Sequence, residues 1–472
     1  MLRNGRPVIL VFSLCSIAAC GGGSSMGGGY GSSPMTTPMP TVSISAPGAA
    51  TAINLGQAVT LTWSSTNATG CSASTSGSGA GAFSGAQPAS GTATIAPTAT
   101  GMYTYSLSCT GSGGSGSGTS PSVTVNASIL SNLFKAGSIV TIGPTPDPVE
   151  MGGNPYGLAI APATAGLVTA GDLIVCNFND GATNTQGQGT TLVGLHPTPG
   201  STPYRIALSS DLLGCNALAV LPDDSISAAA FSANKNPLVT AAGVVGSPFS
   251  ADTFGSPWGE AFVAAKGSQP AALYESNISG TIDRITLNGD AQTGFTEIAS
   301  GFCGSGSPGA LFGPAGLTYD PSIDTLYIVD TSSASVVAFA GVSSIGKDGV
   351  VVGGHCAAPP TPAPTFSGPS ASSARVIAHG SPLFTPLSAA LLSDGDLVVA
   401  NADINIPGNL MPNLVIEVSP VLPGGFVGQA VQLDTTGVPG ALFGMATAVD
   451  AQGNQIIYFN DDNTNTVMRL SL

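Results

Sequence analysis

Charge is what this sequence has least of. Only 7% of its residues are Asp, Glu, Lys or Arg, where about a quarter is usual. The stretch from Pro7 to Phe134 contains none at all. Long amphipathic helices need charged outer faces at a helical period, so that class of fold is excluded. Basic residues are scarcest: 10 Lys and Arg stand against 25 Asp and Glu, a net charge of −15. A surface so poor in cations cannot neutralise phosphates, which excludes nucleic acid as a partner and argues against adhesion to anionic headgroups. The histidines are only 3, His196, His355 and His379. No nucleophile-elbow, Walker, Rossmann or zinc-protease motif accompanies them, so no catalytic residue is assigned. No metal-ligand set is assigned either, because the cysteines come without CxxC spacing or paired histidines.

What is present is glycine, proline and short apolar runs. With 65 Gly, 36 Pro and 43% apolar residues the chain turns often and still has material for a core. Runs of strand length separated by Gly, Pro, Asn and Asp predict an all-β protein.

Residues 1–19 predict a removable export signal: Arg3 and Arg6, an apolar run from Pro7 to Leu14, then Ile17-Ala-Ala-Cys20. The ending resembles the lipobox of bacterial lipoproteins, which implies that Cys20 is acylated and becomes the first residue. The alternative is an ordinary secretory signal with an incidental cysteine. A membrane-spanning helix is excluded by length. Gly21, by analogy with Gram-negative lipoproteins, points to the outer membrane of the cell envelope, with the lipid as membrane partner. Residues 20–40 are, apart from Cys20 and Tyr30, Gly, Ser, Met, Thr and Pro without an apolar period, and predict a flexible tether.

From residue 41 to 128 the runs Thr41-Val-Ser-Ile-Ser45, Ala58-Val-Thr-Leu-Thr-Trp63, Gly101-Met-Tyr-Thr-Tyr-Ser-Leu-Ser-Cys109 and Ser122-Val-Thr-Val125 alternate as strands. They predict a small β-sandwich, with Trp63 in its core and a cross-sheet disulfide between Cys71 and Cys109. Leu55-Gly-Gln-Ala-Val-Thr-Leu-Thr-Trp-Ser64, then Cys71 and Thr100-Gly-Met-Tyr-Thr-Tyr105, resembles bacterial Ig-like domains of secreted lipoproteins. The resemblance implies a spacer, or alternatively an adhesion module. Tyr103, Tyr105, Phe83 and Trp63 are its only large aromatics, and most belong in its core.

Residues 130–472 repeat a unit of three recognisable strands. The copies include Pro155-Tyr-Gly-Leu-Ala-Ile160 with Leu173-Ile-Val-Cys-Asn177, Pro257-Trp-Gly-Glu-Ala-Phe262 with Leu273-Tyr-Glu-Ser-Asn277, and Pro314-Ala-Gly-Leu-Thr-Tyr319 with Leu326-Tyr-Ile-Val-Asp330. Pro386-Leu-Ser-Ala-Ala-Leu391 with Leu397-Val-Val-Ala-Asn401, and Leu442-Phe-Gly-Met-Ala-Thr447 with Ile456-Ile-Tyr-Phe-Asn460, continue the series; a degenerate copy begins at Cys215. Six copies predict a six-bladed β-propeller. Its last blade lacks a fourth strand, which Ser138-Ile-Val-Thr-Ile142 is expected to supply. A β-helix is the alternative stack. The Pro-x-Gly-Leu strand followed by Leu-Tyr-Ile-Val-Asp330 resembles NHL-type propeller repeats. The Pro- and Ser-rich stretch between Phe339 and Arg375 is expected to be a surface loop.

Six cysteines remain after Cys15 leaves with the signal and Cys20 goes to lipid, an even number that reads as disulfides in an exported protein. Cys176 and Cys215 fall on one face of adjacent blades, and Cys303 and Cys356 pair by elimination. Asn177, Asn277, Asp330, Asn401 and Asn460 all end second strands, while Tyr156, Trp258, Phe312, Phe384 and Phe443 sit where first strands begin. They converge on one mouth as a candidate ligand funnel, or, more plainly, the polar five cap strand ends. Asn460 to Asn463 make either a hairpin turn or an oxygen-rich calcium site. The leading expectation is a non-enzymatic binding or scaffold protein for an unknown protein or small ligand. The rival is a calcium-dependent propeller hydrolase or lactonase.

Overall fold

In the computed structural model, the described residues are 37–46, 52–54, 59–76, 83–95, 97, 101–126, 132–249, 254–307, 310–354, 356, 362–401, 412–422 and 424–472. The signal segment, Cys20 and the tether as far as residue 36 lie outside them, as does His355. No helix among them is long and apolar enough to cross a membrane.

The N-terminal unit has two sheets. One pairs Thr41–Ser45, Val59–Thr66 and Ser90–Ile95; the other is built around Gly101–Gly111 with Gly70–Ser76 and Val123–Asn126 beside it. Alternate residues of each strand meet in one core: Leu61, Trp63, Phe83, Tyr103, Tyr105 and Leu107 are all buried. The Trp63 indole donates to the Pro88 carbonyl (3.0 Å) and lies 5.2 Å from the Phe83 ring. Opposite it stands Gly91, where a Cβ would sit 2.7 Å from the indole. Two expectations need correction. Cys71 and Cys109 face each other on adjacent strands of one sheet, 4.0 Å between Cα atoms, so their bond crosses strands and not sheets. The tether also ends earlier than residue 40: Pro40 is buried, and Thr37 Oγ1 donates to the Ser112 carbonyl (3.1 Å).

Beyond residue 132 the chain forms a β-propeller. Its first strands are Pro155–Ile160, Cys215–Val220, Pro257–Val263, Pro314–Asp320, Pro386–Leu391 and Leu442–Val449, each opening an antiparallel sheet. Each touches the first strand of the next sheet, and the last touches the first, so the six sheets (blades one to six here) close a ring. The ring closes through Ile139–Pro144, which pairs antiparallel with Thr466–Ser471 as the outermost strand of blade six. A single helical turn just before it is held by Glu417 of blade five, whose carboxylate accepts from the Asn132 and Leu133 amides (2.9 and 3.1 Å). Packing between blades is apolar, as in the cluster of Ala261, Tyr274, Leu317 and Ile328 between blades three and four.

The stretch after Phe339 is not only a surface loop. Val350–Gly353 lies parallel to the fourth strand of blade three, and Thr365–Ser367 pairs with it, so the excursion widens that sheet. Val350 and Val352 are buried there, which gives this otherwise polar stretch its reason to order. Disulfides join Cys176 of blade one to Cys215 of blade two, and Cys303 to Cys356 across the base of the excursion.

Candidate functional site: the axial cavity

The first strands converge on the axis, and their third residues must be small. Gly157, Ala217, Gly259, Gly316, Ser388 and Gly444 line the axial cavity together. A Cβ at Gly259 would overlap the Ala315 carbonyl oxygen, and one at Gly444 the Tyr156 carbonyl oxygen. The recurring Pro-x-Gly is therefore a requirement of neighbouring backbones in contact. The cavity has a volume of about 80 Å³, room for a few waters or an ion and well below the few hundred Å³ of an organic-ligand pocket.

One end of the axis is closed by rings. Tyr156 lies between Phe443 (centroids 3.7 Å) and Phe178 (4.2 Å), with Trp258 edge-on at 6.2 Å and Phe231 edge-on to Trp258 at 5.9 Å. Two stacked and two edge-on contacts join these rings in one buried cluster. Burial, reinforced by Asp462, pushes the Tyr156 hydroxyl upward, and burial with Asp461 alongside pushes the Asp462 carboxyl up to about 7. With its amide oriented by its neighbours, Asn154 donates to Asp462 Oδ2 (2.8 Å). Phe312 and Phe384 are not in this cluster. Each lies two residues before the proline of its first strand, out of register with Tyr156, Trp258 and Phe443, which follow the opening residue.

The polar five are not among the residues lining the axial cavity; they bond neighbouring backbone and side chains, and Asn277 Nδ2 donates to Asp283 Oδ2 (2.8 Å). Asn177 Nδ2 donates to the Thr145 carbonyl (3.0 Å), and Asn401 Nδ2 to the Pro382 carbonyl (2.9 Å). Asn277 accepts from the Gly255 amide (3.1 Å), and Asp330 from the Ser332 amide (3.1 Å) and the Ser333 hydroxyl. All are fully buried. Asn460 is out of register with the other four: Leu442 pairs with Asp461, which is the true strand-end residue of blade six. Two consecutive polar residues hid the boundary. Asn460 instead donates to the Tyr156 and Gly157 carbonyls (3.3 and 3.0 Å), tying the last blade to the first. The turn around it does not gather oxygens. Asp461 takes the Thr464 amide (3.2 Å), while Asn463 turns away to Asp434 Oδ2 (2.7 Å). Among the described residues no group of three or more acids, histidines or cysteines is arranged to hold a metal.

The chemistry lies instead in residues that the sequence did not single out. Asn216 and Glu260 are among the residues that line the axial cavity. Both amide atoms of Asn216 are buried without a partner, as are Glu260 Oε2 and Ser388 Oγ. Glu260 Oε1 accepts from Ser227 Oγ (2.6 Å) and Asn236 Nδ2 (2.8 Å) of blade two. Strand register then sets Glu275 opposite Glu260, Asp283 opposite Glu275, and Glu297 opposite Asp283, a row of four carboxyls across blade three. Asn236 Nδ2 also meets Glu275. Desolvation disfavours buried charge. It pushes Glu260 up to about 8, Glu275 well above the carboxylate range with Glu260 adding to it, and Asp283 up to about 7 with help from Glu297. The inner end of this row is thus largely protonated near neutrality.

Fold and cavity define an all-β protein carrying a β-propeller with a narrow polar axis. No family model and no curated protein matches the sequence. Similar solved structures include virginiamycin B lyase from Staphylococcus aureus, at 13% identity over 71% of this chain and 99% of that one (TM-score 0.40). A gluconolactonase from Xanthomonas campestris is similar at 14% identity over 71% and 98% (TM-score 0.44). The PQQ-bound aldose sugar dehydrogenase of Streptomyces coelicolor is similar at 15% over 71% and 98% (TM-score 0.43).

Proposed function

We propose that this chain is a lipid-anchored protein of the bacterial cell envelope, in which an Ig-like spacer carries a six-bladed, NHL-like propeller as a binding module. The binding part rests on one observation: Asn216, Glu260 and Ser388 present unpaired buried polar atoms to a single cavity. Unpaired buried polar atoms are costly, and a bound ion or ordered water satisfies them. The anchor rests on Arg3, Arg6 and Ala18-Ala19-Cys20, and the outer membrane on Gly21.

A second reading, a calcium-dependent hydrolase of the lactonase kind, draws on the same oxygens. Asn216 and Glu260 are donors of the type calcium takes, although Glu260 is the only acid among the cavity-lining residues, where a full shell needs six to eight oxygens. Calcium bound there would polarise a substrate carbonyl; Glu260 and Asn216 would hold it, and the ring cluster around Tyr156 would keep water from that end.

Calorimetric titration of the mature chain with CaCl₂, MgCl₂ and NaCl separates the readings. Binding predicts one saturable event per chain, weakened about tenfold or more by Glu260→Gln, with no hydrolysis of γ-butyrolactone or an aryl ester. Calcium-stimulated turnover lost in Glu260→Gln would replace it with the hydrolase. Titrations identical in wild type and Glu260→Gln would overturn both.

A further inference from the structure

A second cavity, of about 320 Å³, opens between blades three and four, at the end of the first strands opposite to the ring cluster. Its floor is Tyr274, Arg284 and Thr286 of blade three; its wall is Tyr319 and Ser343 from blade four and the chain that follows, and Lys266 stands at the rim. Cations are rare in this chain, 10 in all, yet two of them meet here.

Among the described residues neither cation has an acidic partner within ion-pair distance. The ion pairs among the described residues involve His196, Arg205 and Lys235 and none involves Arg284 or Lys266. Arg284 Nη1 donates to the Ser343 and Ile345 carbonyls (3.0 and 2.9 Å), which fixes the guanidinium without neutralising it. Among the described residues Lys266 Nζ donates only to the Pro321 carbonyl (3.2 Å). The one acid in the wall, Asp324, is occupied by the Tyr319 hydroxyl (3.1 Å) and Ser343 Oγ (2.6 Å). Tyr274 is buried beside Arg284; burial pushes its hydroxyl up to about 12 against the opposing pull of the guanidinium, so it stays a neutral donor.

We propose that this pocket binds a small organic oxyanion, a carboxylate or phosphate carried on a ring-sized body. A fixed guanidinium and an exposed ammonium supply the complementary charge, and a guanidinium matches such groups with paired hydrogen bonds. Tyr274 and Tyr319 supply apolar ring surface with polar tips. The volume lies in the range of small-molecule pockets, unlike the axial cavity. The site shares no residue with the axial one, so it stands or falls separately from the binding reading above.

The test is calorimetric titration of the mature chain with sodium benzoate, phenyl phosphate, inorganic phosphate and neutral benzamide. One saturable site for benzoate or phenyl phosphate is expected, with benzamide weaker by about tenfold. Lys266→Gln, at an exposed rim position, should weaken the anion about threefold or more and leave the melting temperature unchanged. Arg284→Gln should abolish binding, and Arg284→Lys recover part of it. Equal affinity for benzamide, full affinity in Lys266→Gln, or no saturable binding overturns the proposal. Inorganic phosphate binding as tightly as phenyl phosphate overturns the ring-sized body.

Discussion

Glu260 occupies a place that the other five first strands give to Leu158, Leu218, Leu317, Ala389 and Met445. Its cross-strand partner Glu275 stands where Val175, Ile328 and Val399 stand, and Asp283 where Val193, Val337 and Ile416 stand. These substitutions were visible in the sequence once the repeats were set in columns. Residues shared by the copies, the glycines and strand-end Asn and Asp, turn out to serve the scaffold. The candidate site lies where one copy departs from the rest. What no column shows is that Asn236 of the degenerate blade meets those acids, because that depends on which face of blade two packs forward. The acid row also makes a pH prediction. In the folded chain Glu260 and Asp283 titrate near 8 and 7 and Glu275 well above its ordinary range, whereas unfolded carboxyls titrate near 4. Between those limits the native state holds more protons, so stability is greatest at the acid end of the window and falls as pH rises through it. Each proton so held contributes about 1.4 kcal/mol per pH unit. Calorimetry in chelator should show the melting temperature falling from pH 5 to pH 8, with a flatter slope in Glu260→Gln/Glu275→Gln. A melting temperature that rises over that range would contradict the burial argument.

At the scale of elements, runs bearing Val, Ile, Leu and aromatic residues were legible as strands. The Gly- and Ser-rich strands were not: Gly70–Ser76, Gly85–Gln87 and Gly114–Thr119 carry little intrinsic strand preference and form because neighbours pair with them. The same holds for the excursion strand Val350–Gly353, ordered by the edge it joins. The closing strand Ile139–Pro144 is different, since its apolar alternation announces it while its partner lies at the other end of the chain. Ile142 is fully buried against Leu158, Leu195 and Val467. Ile142→Ala should cost about 2 to 5 kcal/mol, read as a lower denaturation midpoint, whereas Val244→Ala, at an exposed turn of blade two, should stay within about 0.5 kcal/mol. Equal midpoints for both variants would show that this strand does not hold the ring.

The whole molecule divides its charge sharply. Nothing charged lies between Pro7 and Phe134, and the acidic surplus is carried entirely by the propeller side of the chain. An acidic module repels an anionic leaflet, so the membrane attachment proposed above would depend on a lipid at Cys20 and on the segment between it and the propeller. Cys20→Ser should move the protein from the membrane fraction to the soluble one and remove metabolic labelling by radioactive palmitate. Retention on the membrane without label would assign the anchor elsewhere. The pairing of Pro144 with Thr466 has a further consequence for biogenesis. A segment synthesised early waits beside an unfinished wheel until residues 466–470 have been made, so the circle cannot be sealed before then. What is made late completes what was made near the beginning, and a chain cut before Thr466 would be left open on both flanks of the gap.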